Sequence, residues 1–534
     1  MSFPAQMSVS SQQELAQLQA QISALEDKKI SLAREAYKVH ISIRELQVRV
    51  ARITNQSAPI SRLPSDVLAI IFEELRHLPP SPIRYQPALV EIQLSHVSCR
   101  WREVALNTPS LWSSIRYPIL HRDRSLTAYL DRCGECLLDV HIGPRSTSQA
   151  SFQTVISTLL PRINRFRELT IDALGREELC ALLSLFHNAT APAMKRLKLN
   201  CQDAVNMRDL SPIKIFQGGT PLLSDIRLDG IPLVLPSSGV TTLHLTAHLG
   251  SAAALSQTAF FDLMSCFSSL SCLHLMGFIL GNNRADDFPA APFELPSLRE
   301  LLIHGNAVST GFSFFETVST PNIEVLSLEN LRQNSLSFIH KFIASCPENF
   351  QRLRALQYLH CEFGDDLDIY LPHATPALTE LSVSADVRLP LLRLLLNSDK
   401  QAVLLGTPAL WSNLRVIKLQ ARKPWDGGND SDSDDLGNGN GAISLISTLL
   451  FNIVSHRRRL GNPLAFVHFE GPFCTSLCHA FEELFRKEEQ QSVTKVRKTW
   501  ASDNSPDWSQ MADYYGYFYR RAFFEKLQTG RIGQ

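Results

Sequence analysis

A six-residue pattern, apolar-x-x-apolar-x-apolar, returns twelve times between Leu137 and Phe469 and constrains this chain more than any other feature. The first copies are LLDVHI (Leu137–Ile142), FRELTI (Phe166–Ile171), MKRLKL (Met194–Leu199), LSDIRL (Leu223–Leu228) and VTTLHL (Val240–Leu245). LSCLHL (Leu270–Leu275), LRELLI (Leu298–Ile303), IEVLSL (Ile323–Leu328) and LQYLHC (Leu356–Cys361) follow, then LTELSV (Leu378–Val383), LRVIKL (Leu414–Leu419) and LAFVHF (Leu464–Phe469). Each copy carries the period-2 alternation of a short strand. Helical stretches such as SAAALSQTAFFDLMSCF (Ser251–Phe267) and NSLSFIHKFIASC (Asn334–Cys346) lie between them. A single strand–helix unit of this size cannot bury its own apolar side, so neighbouring units must stack.

This strand, turn and helix at a 20–30-residue period resembles the leucine-rich repeats. The Asn usual after the strand stands only at Asn306, and spacing runs from 17 residues (Ile226 to Leu243) to 50 (Ile417 to Val467). An irregular α/β leucine-rich-repeat-like solenoid is therefore expected over residues 135–490. The acidic, glycine-rich stretch 426–441 reads as a disordered insert. Residues 491–534, with the aromatic segment YYGYFYRRAFFEKL (Tyr514–Leu527), read as a C-terminal cap.

Residues 1–10 read as disordered, and 11–53 as a coiled-coil helix. Its seam is Leu15, Leu18, Ile22, Leu25, Lys29, Leu32, Ala36, Val39, Ile43, Leu46, Val50 and Ile53, a 3.5-residue repeat that buries itself by supercoiling. Lys29 at a seam position costs stability and can fix register. The seam fits either a homodimer through residues 15–53 or a fold back onto the same chain.

The stretch ISRLPSDVLAIIFEEL (Ile60–Leu75) is a short helix with apolar residues spread over roughly twice the width of an ordinary one-sided helix. Two faces need cover, and one is available to a second protein. LVEIQLSHVSCRWREVALNTPSLWSSI (Leu89–Ile115) follows. Leu-Pro, an Ile-Phe helix, His-Val-x-x-x-Trp-Arg and a final Leu-Trp resemble the F-box family over residues 58–117. Ser98 where the family has Cys, and the long link Pro79–Ile92, depart from it.

The resemblance implies a small all-α F-box that docks a Skp-family adaptor and through it a cullin ligase core. Leu63, Pro64, Leu68, Ile71, Phe72, Leu75, Val97, Trp101, Leu111 and Trp112 would carry that adaptor-binding role. The whole layout is similar to F-box proteins abundant in mushroom-forming fungi. The expected fold is thus multidomain: an N-terminal α-helical coiled coil, an all-α F-box, then the α/β repeat solenoid. The implied function is the non-catalytic substrate-recognition subunit of a Skp–cullin–F-box ubiquitin ligase. The alternative is a protein-interaction scaffold whose F-box-like unit is a structural cap.

Within each strand the residue between the last two apolar positions points away from the core, onto a concave face suited to a protein target. His141, Lys198, Arg227, His244, His274, His360, Lys418 and His468 stand in that row and would favour an acidic or phosphorylated segment. Acidic residues in flanking rows, among them Asp139, Glu168, Asp225, Glu300 and Glu380, can instead neutralise it.

Fifty-two basic residues balance 52 acidic ones, which excludes a general nucleic-acid binder. No apolar run reaches a membrane span, and no leader is legible. Eleven scattered cysteines fit reduced thiols in an intracellular protein of the cytoplasm or nucleus. G-x-S-x-G, H-E-x-x-H and Walker patterns are absent. Cys133-x-x-Cys136 and the pair Cys474 and Cys478 lack partners at zinc-ligand spacing. The sequence reading is therefore a non-enzyme with no cofactor and no metal site.

Overall fold

The computed structural model describes residues 9–77, 89–117, 123–143, 155–203, 213–229, 231, 233–236, 239–247, 257–277, 293–305, 318–363, 371–384, 390–420, 439–470, 474–487 and 495–499. The chain divides into two compact units, residues 1–115 with 124–136 and residues 116–123 with 137–534.

The first unit is helical. It contains α1 (Val9–Ser57), α2 (Ser65–His77), α3 (Val90–Val97), α4 (Cys99–Leu106) and α5 (Asp123–Cys133), with single 3-10 turns at Pro59–Arg62 and Pro109–Trp112. Leu68 and Phe72, four residues apart on α2, are wholly buried, and the Phe72 ring lies 4.9 Å from that of Trp101. Ser98 caps α4 by accepting from the Trp101 amide at 3.1 Å. Arg100 donates to the carbonyls of Ser61 and Leu63, which ties the turn before α2 to α4.

Trp112 closes this core. Its indole donates to the Ala105 carbonyl at 2.8 Å, Tyr129 meets it edge-on at 5.0 Å, and the Arg132 guanidinium lies 4.3 Å over its ring. The Tyr129 hydroxyl donates to Glu91 at 2.6 Å.

The second unit is α/β. Its strands are β1 (Ser114–Tyr117), β2 (Leu138–Ile142), β3 (Phe166–Gly175), β4 (Arg196–Asp203), β5 (Asp225–Asp229), β6 (Thr242–Ala247) and β7 (Cys272–Gly277). There follow β8 (Glu300–His304), β9 (Val325–Glu329), β10 (Ala355–Leu359), β11 (Glu380–Ser384), β12 (Val416–Gln420), β13 (Phe466–Glu470) and β14 (Lys495–Thr499). They form one 14-stranded sheet in chain order, and every pairing from β2 to β14 is parallel.

Two small parallel pairs, Ile213–Lys214 with Leu233–Val234 and Phe293–Glu294 with Val318–Ser319, lie outside this sheet. Helices α6 (Arg176–Leu185), α7 (Gln257–Ser265), α8 (Gln333–Ser345), α9 (Pro390–Leu405), α10 (Gly439–Arg459) and α11 (Cys474–Lys487) occupy connections between the strands. The core is the apolar row of the repeat: Leu197, Ile226, Leu243, Leu273, Leu301, Leu326, Leu356, Leu381 and Ile417 are all at most 1 % exposed.

The expected fold class is corrected. In place of separate coiled-coil, F-box and solenoid modules, the structure has a helical unit and a large α/β unit built on one continuous parallel sheet. The irregular spacing does not interrupt the sheet. The 50-residue interval from Ile417 to Val467 ends with these two residues paired in register. Extra residues are taken up in the connections, because in-register backbone pairing depends on the strand and not on the length of the return path.

The F-box recognition is corrected too. Leu68, Phe72, Leu111 and Trp112, which the resemblance assigns to an open dock, are at most 1 % exposed and form the core of their own unit. Leu63, Ile71, Leu75 and Trp101 are half-buried and Pro64 is exposed. Of the ten named residues only Val97, 51 % exposed, is a large aliphatic left open; Ile60, Val67 and Ile70 are exposed beside the motif positions. A short helix must first satisfy its own unit, and its widest side chains do that here.

One repeat is also re-registered. LQYLHC is not the pairing frame, because Leu326 faces Leu356 and Leu328 faces Tyr358. The copy in register is LRALQY (Leu353–Tyr358), three residues earlier; the two frames overlap in LRALQYLHC. Gln357 therefore holds the place assigned to His360. The expected disordered insert falls outside the described residues as far as 438, and α10 begins at Gly439. Of the expected terminal segments, residues 1–8, 491–494 and 500–534, with Tyr514–Leu527, lie outside the described residues, and Lys495–Thr499 forms β14. Among the described residues no helix is long and apolar enough to cross a membrane.

Candidate metal centre

Strand alternation decides which side chains meet at the middle of the sheet. In β7, CLHLMG, Leu273 and Leu275 turn into the apolar core, so Cys272 and His274 share the opposite face. In β8, Leu301 and Ile303 are the core residues, so Glu300 stands on the same face as Cys272. Register then does the rest: Glu300 is the direct partner of Cys272, and His244 on β6 is the direct partner of His274.

The result is a cluster of three donor atoms. Cys272 Sγ lies 3.1 Å from His274 Nε2, and His274 Nε2 lies 4.0 Å from Glu300 Oε1. All three donor atoms are within 4.8 Å of one another. The His244 ring meets the His274 ring edge-on at 4.2 Å. His244 and His274 are buried at 6 % and 8 %, whereas the Glu300 side chain is 47 % exposed and faces solvent.

Burial sets the protonation states. It pushes the Cys272 thiol up to about 12, reinforced by the charges of Glu300 and Asp225 and by the hydrogen bond to Glu300. It pulls His274 down to about 4, with the Arg227 charge acting the same way and Asp225 opposing. It pulls His244 down to about 2, aided by His274, Arg227 and Lys198. At neutral pH both imidazoles are therefore neutral bases. At 4.0 Å from a neutral His274, Glu300 is a neighbouring donor and not its ion-pair partner.

A soft sulfur, an imidazole nitrogen and a carboxylate oxygen are the donor types that zinc and its neighbours take. A tetrahedral ion at ordinary bond lengths holds such donors roughly 3.3–3.6 Å apart. Binding would open the sulfur–nitrogen separation from 3.1 Å and draw Glu300 in, closing the nitrogen–oxygen separation from 4.0 Å. Three protein ligands would leave one position of a four-coordinate ion for another group.

The other residues of the expected target-binding row are placed differently from these histidines. His141 Nε2 is 2.6 Å from Asp172 Oδ2. Arg227 lies 3.5 Å from Asp225, and Lys418 Nζ 2.5 Å from Glu380. Lys198 is half-buried, and burial followed by the Arg227 charge lowers its ammonium below the usual value. His468 is half-buried beside Lys418 in register. His360 is exposed at φ 55, beyond the end of its strand. Of the eight, His274 alone contributes a donor to the cluster, and His244 packs against it.

The expectation of a non-catalytic subunit with no site chemistry is corrected by this cluster. A linear motif search misses it because its third donor is 28 positions away from the first. The readable signal was positional. Cys272 and Glu300 occupy the same third place in LSCLHL and LRELLI, and an in-register parallel sheet sets equal places side by side. Cys133 is buried and donates to the Leu130 carbonyl at 3.3 Å, as a packed thiol does. Neither a protein-family model nor a curated protein matches this chain. The ligase-subunit reading, with its F-box and leucine-rich-repeat labels, is corrected by the continuous parallel sheet and the donor cluster on it.

Proposed function

We propose that the chain is a metal-dependent protein whose α/β unit binds one divalent transition-metal ion of the zinc type through Cys272, His274 and Glu300. The observation that carries this reading is the gathering of sulfur, nitrogen and oxygen donors within 4.8 Å on one sheet face. His274 is neutral and ready to coordinate. Cys272 gives up its proton as the metal binds, because the cation replaces the proton as the partner of the sulfur. Glu300 supplies negative charge, and His244 packs the buried side of the site.

Three ligands and an open fourth position make a centre that can polarise a bound oxygen or lower the pKa of a bound water. The reaction class this supports is metal-assisted hydrolysis or a related Lewis-acid step. Eleven cysteines scattered through the chain, with Cys133, Cys201, Cys361 and Cys478 buried, fit reduced thiols of an intracellular protein of the cytoplasm or nucleus.

The test is elemental analysis of the purified full chain after exposure to zinc and exhaustive removal of loose ions. One equivalent is expected for the wild type and well under half for Cys272→Ser and His274→Ala. Equal metal content in all three proteins would refute the assignment.

A further inference from the structure

We propose that the chain is a homodimer joined through α1, each copy covering the apolar seam of the other. Helix α1 runs for 49 residues, and every residue from 13 to 54 is exposed. Among the described residues nothing of the chain itself shields the seam: Leu18 is 53 % exposed, Leu25 66 %, Leu46 59 % and Ile53 69 %. Isolated helices do not leave aliphatic rows of this length in water.

Three observations favour a second copy as the occupant. The apolar residues recur every 3.5 positions over the whole run from Leu15 to Ile53, which keeps a seam facing an identical partner as the two helices supercoil. A simple amphipathic helix lying on a globular surface would follow the 3.6-residue period instead. The flanks suit self-pairing as well. In a parallel, in-register pair the flanking residue before each first seam position meets the one five places later in the other copy. Glu14 then meets Gln19, Gln21 meets Glu26, and Glu35 meets His40, and none of the six such pairs sets like charges together.

The size also fits. Twelve seam positions with their twelve flanking positions give roughly two dozen residues a side, the range of a stable specific interface. Lys29 is the one charged seam residue, and the pairing sets it against its counterpart. That lowers affinity and marks the register.

Sedimentation velocity on the full chain tests this. The expected species at micromolar concentration has twice the 59.8 kDa chain mass. Ile43→Glu is expected to give a monomer with the thermal transition of the α/β unit unchanged, since Ile43 is 49 % exposed within one chain. Lys29→Leu is expected to tighten the dimer by roughly tenfold or more. A wild type that stays monomeric at about 50 µM, a dimer that survives Ile43→Glu, or a dimer loosened by Lys29→Leu would each overturn the proposal.

Discussion

Two polar clusters of the α/β unit are built on opposite principles. Arg457 and Asp399 are both wholly buried and close upon each other: Arg457 Nε donates to Asp399 at 2.9 Å and its Nη2 at 3.3 Å, and the remaining donors reach the carbonyls of Leu410 and Trp411. Burial pushes the Asp399 carboxyl up and the Arg457 guanidinium down, against their mutual attraction. Cys272, His274 and Glu300 contain no cation, stand at the middle of the sheet, and reach from a buried imidazole to a solvent-facing carboxylate. A buried pair of opposite charges holds connections together. A set of Lewis bases with a wet edge is arranged for something that arrives from outside.

The largest effect is expected at the ion pair. Arg457→Ala leaves Asp399 buried without a partner and is expected to cost about 3–5 kcal/mol in chemical denaturation. Replacing both members with apolar residues, Asp399→Leu with Arg457→Met, is expected to recover most of that loss. If the single and double variants are equally unstable, the pair is not the independent clip described.

The metal cluster should behave in the reverse sense. Cys272→Ser and Glu300→Gln are expected to leave stability without metal within about 1 kcal/mol of wild type, because neither is a core residue. Added zinc should stabilise the wild type by about 2.7 kcal/mol at a hundredfold excess over Kd, and Cys272→Ser much less. Thermal scans with and without metal measure both. In the helical unit, Trp112→Phe removes the indole bond to Ala105 and is expected to cost about 1 kcal/mol.

The smallest effect sits near the first strands of the sheet. Burial acts to raise the Asp172 carboxyl, but the hydrogen bond and charge of His141, with Asn200 and Lys198, bring it net below its ordinary 3.8. A carboxylate lowered in the folded state stabilises the fold above its unfolded pKa, and that contribution is lost as pH falls through the lowered value. Asp172→Asn is thus expected to cost about 0.5–1 kcal/mol at pH 7 and almost nothing near pH 2, read from urea midpoints at the two pH values.

Much of this was legible in the residues, and the gaps have physical causes. Strands occupy all twelve repeat segments, because alternating apolar residues fix both the extended backbone and the buried face. The copy at LRALQYLHC was ambiguous because two frames satisfy the same pattern, and only pairing with β9 selects one. The polar row was expected to face solvent. Yet His244, His274, Ser327 and Ser382 are 8 % exposed or less, since neighbouring strands roughly 4.8 Å apart shield each other's short side chains. The Leu-Pro, Trp and Leu-Trp signals beside α2 suit a docking face and a helical core equally, and the structure uses Leu111 and Trp112 for the core. Composition and spacing cannot separate those two uses of an apolar residue.

The central claim is most directly tested by titrating the metal-free full chain with cobalt(II) and recording its absorption. A saturable one-to-one site with intense ligand-field bands and a sulfur-to-cobalt charge-transfer band is expected. That band should disappear in Cys272→Ser, and the ligand-field bands should shift in His274→Ala. A spectrum of free aqueous cobalt, or a charge-transfer band that persists without Cys272, would contradict it.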